Sequence, residues 1–224
     1  MSIVENIQHI EKEIEGKGVT LIAVSKTKPV EMLMEAYNAG FKRFGENYVQ
    51  ELVEKQEAMP KDIEWHFIGH LQSNKVKYIA PFVSLIHSVD SFKLLQEINK
   101  QAAKNNRLID CLLQIYIAEE DTKSGMAEEE CLEILQPETL KSLQNIKIVG
   151  LMGMTTLTDN ETQIRKEFVK LKKFYSELKI QNSELNSLSM GMSGDYKIAI
   201  EEGSTMIRVG SKIFGGRIYN NLAI

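Results

Sequence analysis

The sequence contains few of the residues that characterise secreted, fibrous or membrane-embedded proteins. Only two of its 224 residues are cysteine, four are proline and one is tryptophan. Two cysteines cannot build a disulfide scaffold, and segment 1–18 lacks the apolar core of a secretory signal. Together these features predict free thiols in the reducing cytoplasm. No apolar run approaches the roughly 20 residues of a membrane span, so we expect no membrane association.

An excess of charge of one sign is also missing. The chain has 27 Lys and Arg against 31 Asp and Glu, a formal net charge of −4. This balance argues against a general nucleic-acid-binding protein. The chain is 43% hydrophobic and 26% charged, which is ordinary for a soluble globular protein. The composition therefore predicts a folded protein with a sizeable core.

One pattern repeats along the whole chain, a short apolar run followed by an amphipathic helical segment. After a leading helix, eight such runs are predicted to be strands, at 21–24, 41–44, 65–68, 82–86, 108–117, 146–152, 185–190 and 204–209. Alternating strands and helices imply a parallel sheet, and eight units favour a closed (β/α)8 TIM barrel. An open doubly wound sheet is the structural alternative. Because no Gly/Ser-rich tract divides the chain, residues 1–224 are predicted to form a single domain.

A lysine follows the first predicted strand, at the end where a barrel of this kind carries its functional groups. Lys26 comes after the run 21–24 and Ser25. Among apolar side chains an ammonium is disfavoured, and a neutral amine forms a Schiff base with an aldehyde. The ordinary alternative is a lysine whose amine reaches solvent from a strand end. Lys28 is the nearby competitor, for which a solvated role is predicted.

The loops after the last two predicted strands have the features of a phosphate site. Ser193 and Gly194 follow strand seven, and Gly210 and Ser211 follow strand eight. Glycines allow close approach of the backbone, and helix N-termini attract anions. The alternative is two tight turns with serine caps. Arg208, within an otherwise apolar strand, needs a partner that is either a structural carboxylate or a ligand atom. Together with Lys26, these groups would fit an aldehyde cofactor that carries a phosphate.

Long ordered motifs resemble those of the pyridoxal phosphate homeostasis proteins. The resemblance extends from the first helix to Tyr219. It is carried by segments 23–29, 44–48, 65–69, 71–75, 87–90, 189–193, 203–210 and 213–215. One departure is His70, at a position where proline is expected in many relatives.

The resemblance implies a single barrel like the N-terminal domain of alanine racemase, the type III pyridoxal phosphate fold, without that enzyme's C-terminal β-domain. It implies that Lys26 carries pyridoxal 5′-phosphate (PLP) as a Schiff base. The residues that it implies for the rest of the site are Ser193, Gly210 and Ser211 at the phosphate, Arg208 at the pyridine nitrogen, and Asn47 and Met152 at the pocket wall.

The function implied by the resemblance is intracellular PLP (vitamin B6) homeostasis, in which PLP is carried without committed turnover. PLP-dependent enzymes lacking their cofactor are the expected recipients. A monomer is expected because the dimerising β-domain is missing. Two alternatives stay open. One is a small PLP-dependent amino-acid racemase, for which His66 and His70 are the nearest candidates for a second acid/base. The other is an aldolase-like barrel that uses Lys26 on a sugar phosphate. No metal site is expected, since Glu128, Glu129 and Glu130 indicate a solvated helix start.

Overall fold

Eight parallel strands, paired in sequence order, close into a barrel. The computed structural model describes residues 1–119 and 124–216, so Tyr219 lies outside the described residues. The strands are β1 Thr20–Val24, β2 Arg43–Glu46, β3 Glu64–Phe67, β4 Leu85–Val89, β5 Ile109–Gln114, β6 Ile146–Met152, β7 Ser187–Met192 and β8 Met206–Val209. Pairing of β8 with β1 completes the ring. The predicted (β/α)8 barrel is confirmed, and the open doubly wound sheet is excluded.

Helices follow the strands and cover the outside of the barrel. They are α1 Ile3–Ile14, α2 Val30–Asn38, α3 Val49–Ala58, α4 Val76–Ile79, α5 Phe92–Lys104, α6 Glu128–Ile134, α7 Pro137–Leu140, α8 Glu161–Gln181, α9 Tyr196–Glu201 and α10 Ser211–Phe214. The leading helix α1 is closed at its start by a capping box between Ser2 and Glu5, and its isoleucines form the buried face. No helix in the described ranges is long and apolar enough to cross a membrane.

All eight strands overlap their predicted ranges, but β2, β4, β7 and β8 begin two or three residues later than predicted. Phe41 and Val83 belong to the predicted strands and are buried. Their backbone N–H groups instead donate to carbonyls of α2 and α4, at 3.1 and 2.9 Å. These residues therefore finish the preceding helices. An apolar run indicates burial, and it predicts strand pairing only where a neighbouring strand lies alongside.

The inside of the barrel combines an apolar layer with a polar one. The apolar side chains form a small separate core of Ile22, Leu85, Leu112, Val149, Met152 and Met206. Alternate residues of a strand face the same side. Arg208 therefore shares the interior with Met206, and His87 shares it with Leu85. The polar layer lies on the side towards the carboxyl ends of the strands, where the functional groups of such barrels are found.

Candidate functional site

A cavity of about 480 Å³ opens at the carboxyl ends of the strands. This volume lies within the usual range of roughly 300–1,000 Å³ for small-molecule sites. Its walls come from the ends of β1, β2, β7 and β8 and the loops that follow them, and from the segments after β3 and β6. Six residues predicted from the sequence line it together, and they are Lys26, Asn47, Ser193, Arg208, Gly210 and Ser211.

The seventh predicted residue, Met152, is fully buried in the barrel-interior core and does not line this cavity. It is the last residue of β6 and is paired with Ser189 on β7. Met154, two residues further along the chain and half-buried, supplies the wall instead. The resemblance implied Met152 at the pocket wall. Strand β6 ends at this residue as predicted, but Met152 is paired with β7 and packs in the apolar core below the cavity.

Lys26 lies in a sharp turn between β1 and α2. The preceding residue, Ser25, is buried, and its backbone N–H donates to the Gly45 carbonyl at 3.0 Å. The following residue, Thr27, has a φ of 61°, in the left-handed region that β-branched residues rarely adopt. The turn brings the Lys26 side chain into the cavity wall.

Two carboxylates and an ammonium form a buried cluster beneath this turn. Lys55 Nζ lies 2.7 Å from both Glu46 Oε1 and Glu51 Oε1. Burial raises the pKa of Glu46 to about 7, although the nearby Lys55 charge opposes the shift. Sequence reasoning missed this cluster. The i,i+4 spacing of Glu51 and Lys55 was a visible signal, but such pairs usually lie on exposed helix faces.

The second lysine of the turn, Lys28, is hydrogen-bonded to backbone carbonyls at the end of the described chain segment. Lys28 Nζ donates to the carbonyls of Phe214, Gly215 and Gly216 at 3.1, 3.0 and 2.8 Å. An ammonium has three donors, and all three are used here. The solvated role predicted for Lys28 is therefore replaced by a contact that ties the β1 loop to the end of α10.

The loops after β7 and β8 are bound to each other. The Gly210 backbone N–H donates to Ser193 Oγ at 3.1 Å. Asp195 braces the first loop by accepting the Met192 backbone N–H at 2.6 Å. A Cβ at Gly210 would lie 3.0 Å from the Val24 carbonyl oxygen, so glycine permits the close approach of the second loop to β1. The serines and backbone amides of these loops are the donors that a phosphate group requires.

Arg208 is a buried cation whose hydrogen bonds go to neutral groups. Its side chain is 3% exposed, and it donates to Ser189 Oγ at 2.6 Å and to the Gly153 carbonyl at 3.1 Å. Within the described part of the chain, no carboxylate lies within ion-pair distance of it. Burial lowers the pKa of Arg208 to about 10, which leaves the group protonated at neutral pH. Such a cation favours a ligand that offers an acceptor or a negative charge.

Two neutral histidines continue the hydrogen-bond chain from Arg208 into the barrel. A guanidinium only donates, so the Ser189 hydroxyl proton can serve His87 Nδ1, 3.0 Å away. His87 Nε2 then donates to His66 Nδ1 at 2.9 Å. Burial lowers the pKa of His66 to about 3 and that of His87 well below its usual value. The sequence placed His66 on a strand but gave no sign of this chain.

The two histidines considered as acid/base candidates do not line the cavity. His66 is buried inside the barrel, below Arg208. His70 is 62% exposed, and its ring lies 3.2 Å from Asp90. Among residues 1–119 and 124–216, no group of three or more His, Cys, Asp or Glu is arranged to hold a metal ion.

Comparisons with known proteins identify relatives over nearly the whole chain. A family model described as alanine racemase, N-terminal domain, matches residues 1–218. The chain is 44% identical to a pyridoxal phosphate homeostasis protein of Aquifex aeolicus over 220 residues, covering 95% of this chain and 96% of the relative. It is 38% identical to the protein of the same name in Schizosaccharomyces pombe, covering 93% of this chain and 88% of the relative.

Solved structures share the fold over the same length. PipY of Synechococcus elongatus, in the structure with PLP bound, is 36% identical with a TM-score of 0.86, and the match covers 96% of this chain and all of PipY. Alanine racemase of Streptomyces lavendulae has a TM-score of 0.81 at 13% identity, over 96% of this chain and 57% of the racemase. The second likeness is one of fold alone.

Proposed function

Because the chain belongs to the family of pyridoxal phosphate homeostasis proteins, we propose that it binds pyridoxal 5′-phosphate in the cavity at the carboxyl ends of its strands. One observation carries the proposal. The cavity brings the Lys26 amine, the buried Arg208 cation and the linked β7 and β8 loops into a single site. An amine, a cation and a set of loop donors complement the aldehyde, the ring nitrogen and the phosphate of this cofactor.

Each group of residues has a distinct role in this proposal. The Lys26 amine forms a Schiff base with the aldehyde that PLP supplies. Ser193 and Ser211 offer the phosphate hydroxyl and backbone donors, and the Gly210 N–H joins them once it exchanges its bond to Ser193 Oγ for one to the phosphate. Arg208 donates to the pyridine nitrogen, and Asn47 contributes to the wall. The side-chain oxygen of Asn47 is buried and has no partner among the described residues, so it can accept a hydrogen bond from a ligand.

The arrangement around Arg208 disfavours reactions that need a strong electron sink, such as decarboxylation, although racemases of this fold operate with it. A guanidinium does not readily give up a proton, so it leaves the pyridine nitrogen unprotonated and the ring a weak electron sink. Carriage over racemisation is supported instead by the cavity lining, which includes neither His66 nor His70. The linkage to Lys26 is exchangeable. With PLP bound, an incoming primary amine could replace Lys26 at the aldehyde carbon, its two protons passing to the departing lysine amine. This exchange would deliver PLP to an enzyme that lacks it.

The test compares the wild-type protein with Lys26→Ala. We expect the variant to lose the absorbance of the Schiff base and the lysine adduct that borohydride reduction traps. Lys28→Ala is the matched control, two residues further along the same turn, and should keep the adduct on Lys26. An adduct that persists in Lys26→Ala and maps to Lys28 would contradict the assignment.

The alternative of a small racemase is separated from carriage by a second measurement. Purified protein is incubated with a panel of amino acids, and the products are analysed by chiral chromatography. We expect no sustained racemisation. Turnover that disappears in Lys26→Ala would establish an enzyme instead.

The proposal also includes a cytoplasmic monomer that hands PLP to cofactor-free enzymes. Mixing the PLP-loaded protein with such an enzyme and measuring the recovery of the enzyme's activity would test this transfer.

A further inference from the structure

One buried ammonium holds the backbone before Lys26. Lys55 Nζ donates to the Ser25 carbonyl oxygen at 2.7 Å, in addition to its contacts with Glu46 and Glu51. Lys55 is 4% exposed and Glu46 is fully buried. A lysine is seldom buried to this extent unless it is paired. Its third hydrogen bond goes to the residue that directly precedes the cofactor-binding lysine.

The two carboxylates bound by Lys55 also contact the turn, one on each side of Lys26. Glu46 Oε1 accepts the Ser25 hydroxyl proton at 2.5 Å. Glu51 Oε1 accepts the Thr27 backbone N–H at 2.6 Å. The residue before Lys26 is therefore held by its side chain and carbonyl, and the residue after it by its amide. Among the described residues, the hydrogen bonds made by the side chains of Lys55, Glu46 and Glu51 go to one another or to the turn.

The conformation of Thr27 explains why such support is needed. Its φ of 61° lies in the left-handed region, where the Cβ of a β-branched residue is crowded. Strained backbone of this kind persists only where the surroundings over-determine it. The bond from the Thr27 amide to Glu51 supplies that constraint, and Lys55 fixes the carboxylate that accepts it.

A purely stabilising role accounts less well for the cluster. Burying an ion pair carries a desolvation cost that often equals or exceeds the attraction gained, and apolar residues would join β2 to α3 at least as well. Glu46 Oε2 is buried and has no partner among the described residues, which adds to this cost. The arrangement therefore costs folding stability, while its hydrogen bonds go to the turn that carries Lys26.

We infer that Lys55 is a positioning residue that, with Glu46 and Glu51, fixes the backbone on both sides of Lys26 and so aims its amine at the cofactor. This inference rests on the proposed binding of PLP. Displacement of a reacting group by about 1 Å can reduce its reaction by 10²-fold. The cluster should therefore govern how readily the Schiff base forms, with a smaller effect on how tightly the phosphate is held.

The test uses two variants and one matched control, all in α3. Lys55→Met keeps the length of the side chain and removes the charge. Glu51→Ala removes the acceptor of the Thr27 amide at a partly exposed helix position where alanine is well tolerated. The control is Glu54→Ala, which lies in the same helix, is exposed and accepts a hydrogen bond from Gln50. PLP is titrated into each protein, and the Schiff base is followed by absorbance and by borohydride trapping.

We expect the apparent dissociation constant for Schiff-base formation to rise at least tenfold in Lys55→Met and several-fold in Glu51→Ala. Glu54→Ala should match the wild type. Thermal unfolding should remain similar in the two alanine variants, which separates positioning from folding. Should Lys55→Met fail to fold, Glu51→Ala decides the question, because its position tolerates the change.

Two results would overturn the inference, and they are distinguishable. Wild-type affinity and trapping in both Glu51→Ala and folded Lys55→Met would show that the cluster does not position Lys26, while PLP binding itself stood. Absence of a trapped Lys26 adduct in the wild-type protein would remove the proposed function, and the inference with it.

Discussion

The buried histidine chain should make the barrel sensitive to acid. His66 is neutral in the folded protein because burial lowers its pKa to about 3 from an ordinary value of 6.5. Once the chain unfolds, the ring regains its ordinary pKa and binds a proton below pH 6.5. The unfolded state then binds more protons than the folded one, so stability falls as the pH decreases from 6.5 towards 3. Replacing His66 by a side chain that does not titrate should remove this dependence.

The size of the effect follows from the two pKa values. At pH 7.5 the ring is neutral in both states and contributes almost nothing. At pH 5.0, about 1.5 pH units below the pKa of the unfolded ring, protonation of the unfolded state lowers the free energy of unfolding by about 2 kcal/mol through His66. Glu46 acts in the opposite direction over part of this range, because its folded pKa is raised. Its contribution is common to wild type and variant and cancels when the two are compared.

The assay is urea unfolding of wild type and His66→Gln at pH 7.5 and pH 5.0. The glutamine carbonyl can still accept the His87 Nε2–H proton. We expect the wild type to lose about 2 kcal/mol more than the variant between the two pH values. His70→Gln, at an exposed position, serves as the control and should behave as the wild type. A difference between wild type and His66→Gln below about 0.5 kcal/mol would refute the argument, since it would mean that His66 titrates normally in the fold.

Two further predictions concern the groups on either side of the cavity. Because the folded pKa of Glu46 is raised, its stabilising contribution to the free energy of unfolding is fully present below about pH 4.5. This contribution is lost as the pH rises through about 7. Urea unfolding should therefore show Glu46→Gln losing about 2 to 3 kcal/mol less than the wild type between pH 5 and pH 8, and equal losses would contradict the shift. Arg208→Met should weaken PLP binding roughly tenfold or more in an absorbance titration, while the cofactor-free protein changes in stability by less than about 2 kcal/mol, because a buried cation whose hydrogen bonds go to neutral groups already costs stability. Unchanged PLP affinity would contradict the role given to Arg208.

The cavity was predictable from sequence because of the symmetry of parallel βα units. Once eight strands are assigned, their carboxyl ends must meet at one edge, and residues 26, 193, 208, 210 and 211 fall there without further information. The one site residue that the structure locates elsewhere, Met152, shows how far this reasoning reaches. Strand β6 ends at residue 152 as predicted, and the pattern leaves open how deep in the barrel that end lies.

The hydrogen-bond chains around the cavity could not be predicted in this way. His87 and Ser189 are separated by 102 residues, yet their polar atoms lie 3.0 Å apart. Periodicity gives the face of each strand but leaves its partners across the barrel undefined. Lys55 has the same difficulty. Its sequence context is that of an exposed helix position, and only the approach of β2 and the turn after β1 makes it a buried ammonium.

The wall that carries Arg208 and the loops after β7 and β8 is separate from the Lys55 cluster that supports Lys26. This separation has a consequence for how PLP is released. On that wall, Arg208 and the loops after β7 and β8 are fixed by contacts that do not involve Lys26. They should hold the ring and phosphate whether or not the covalent linkage is present. Lys26→Ala should therefore still bind PLP in equilibrium dialysis, with a weaker affinity and without a reducible adduct. Loss of all detectable binding in that variant would mean that affinity resides mainly in the covalent bond, and exchange of the linkage alone would then be enough to release the cofactor.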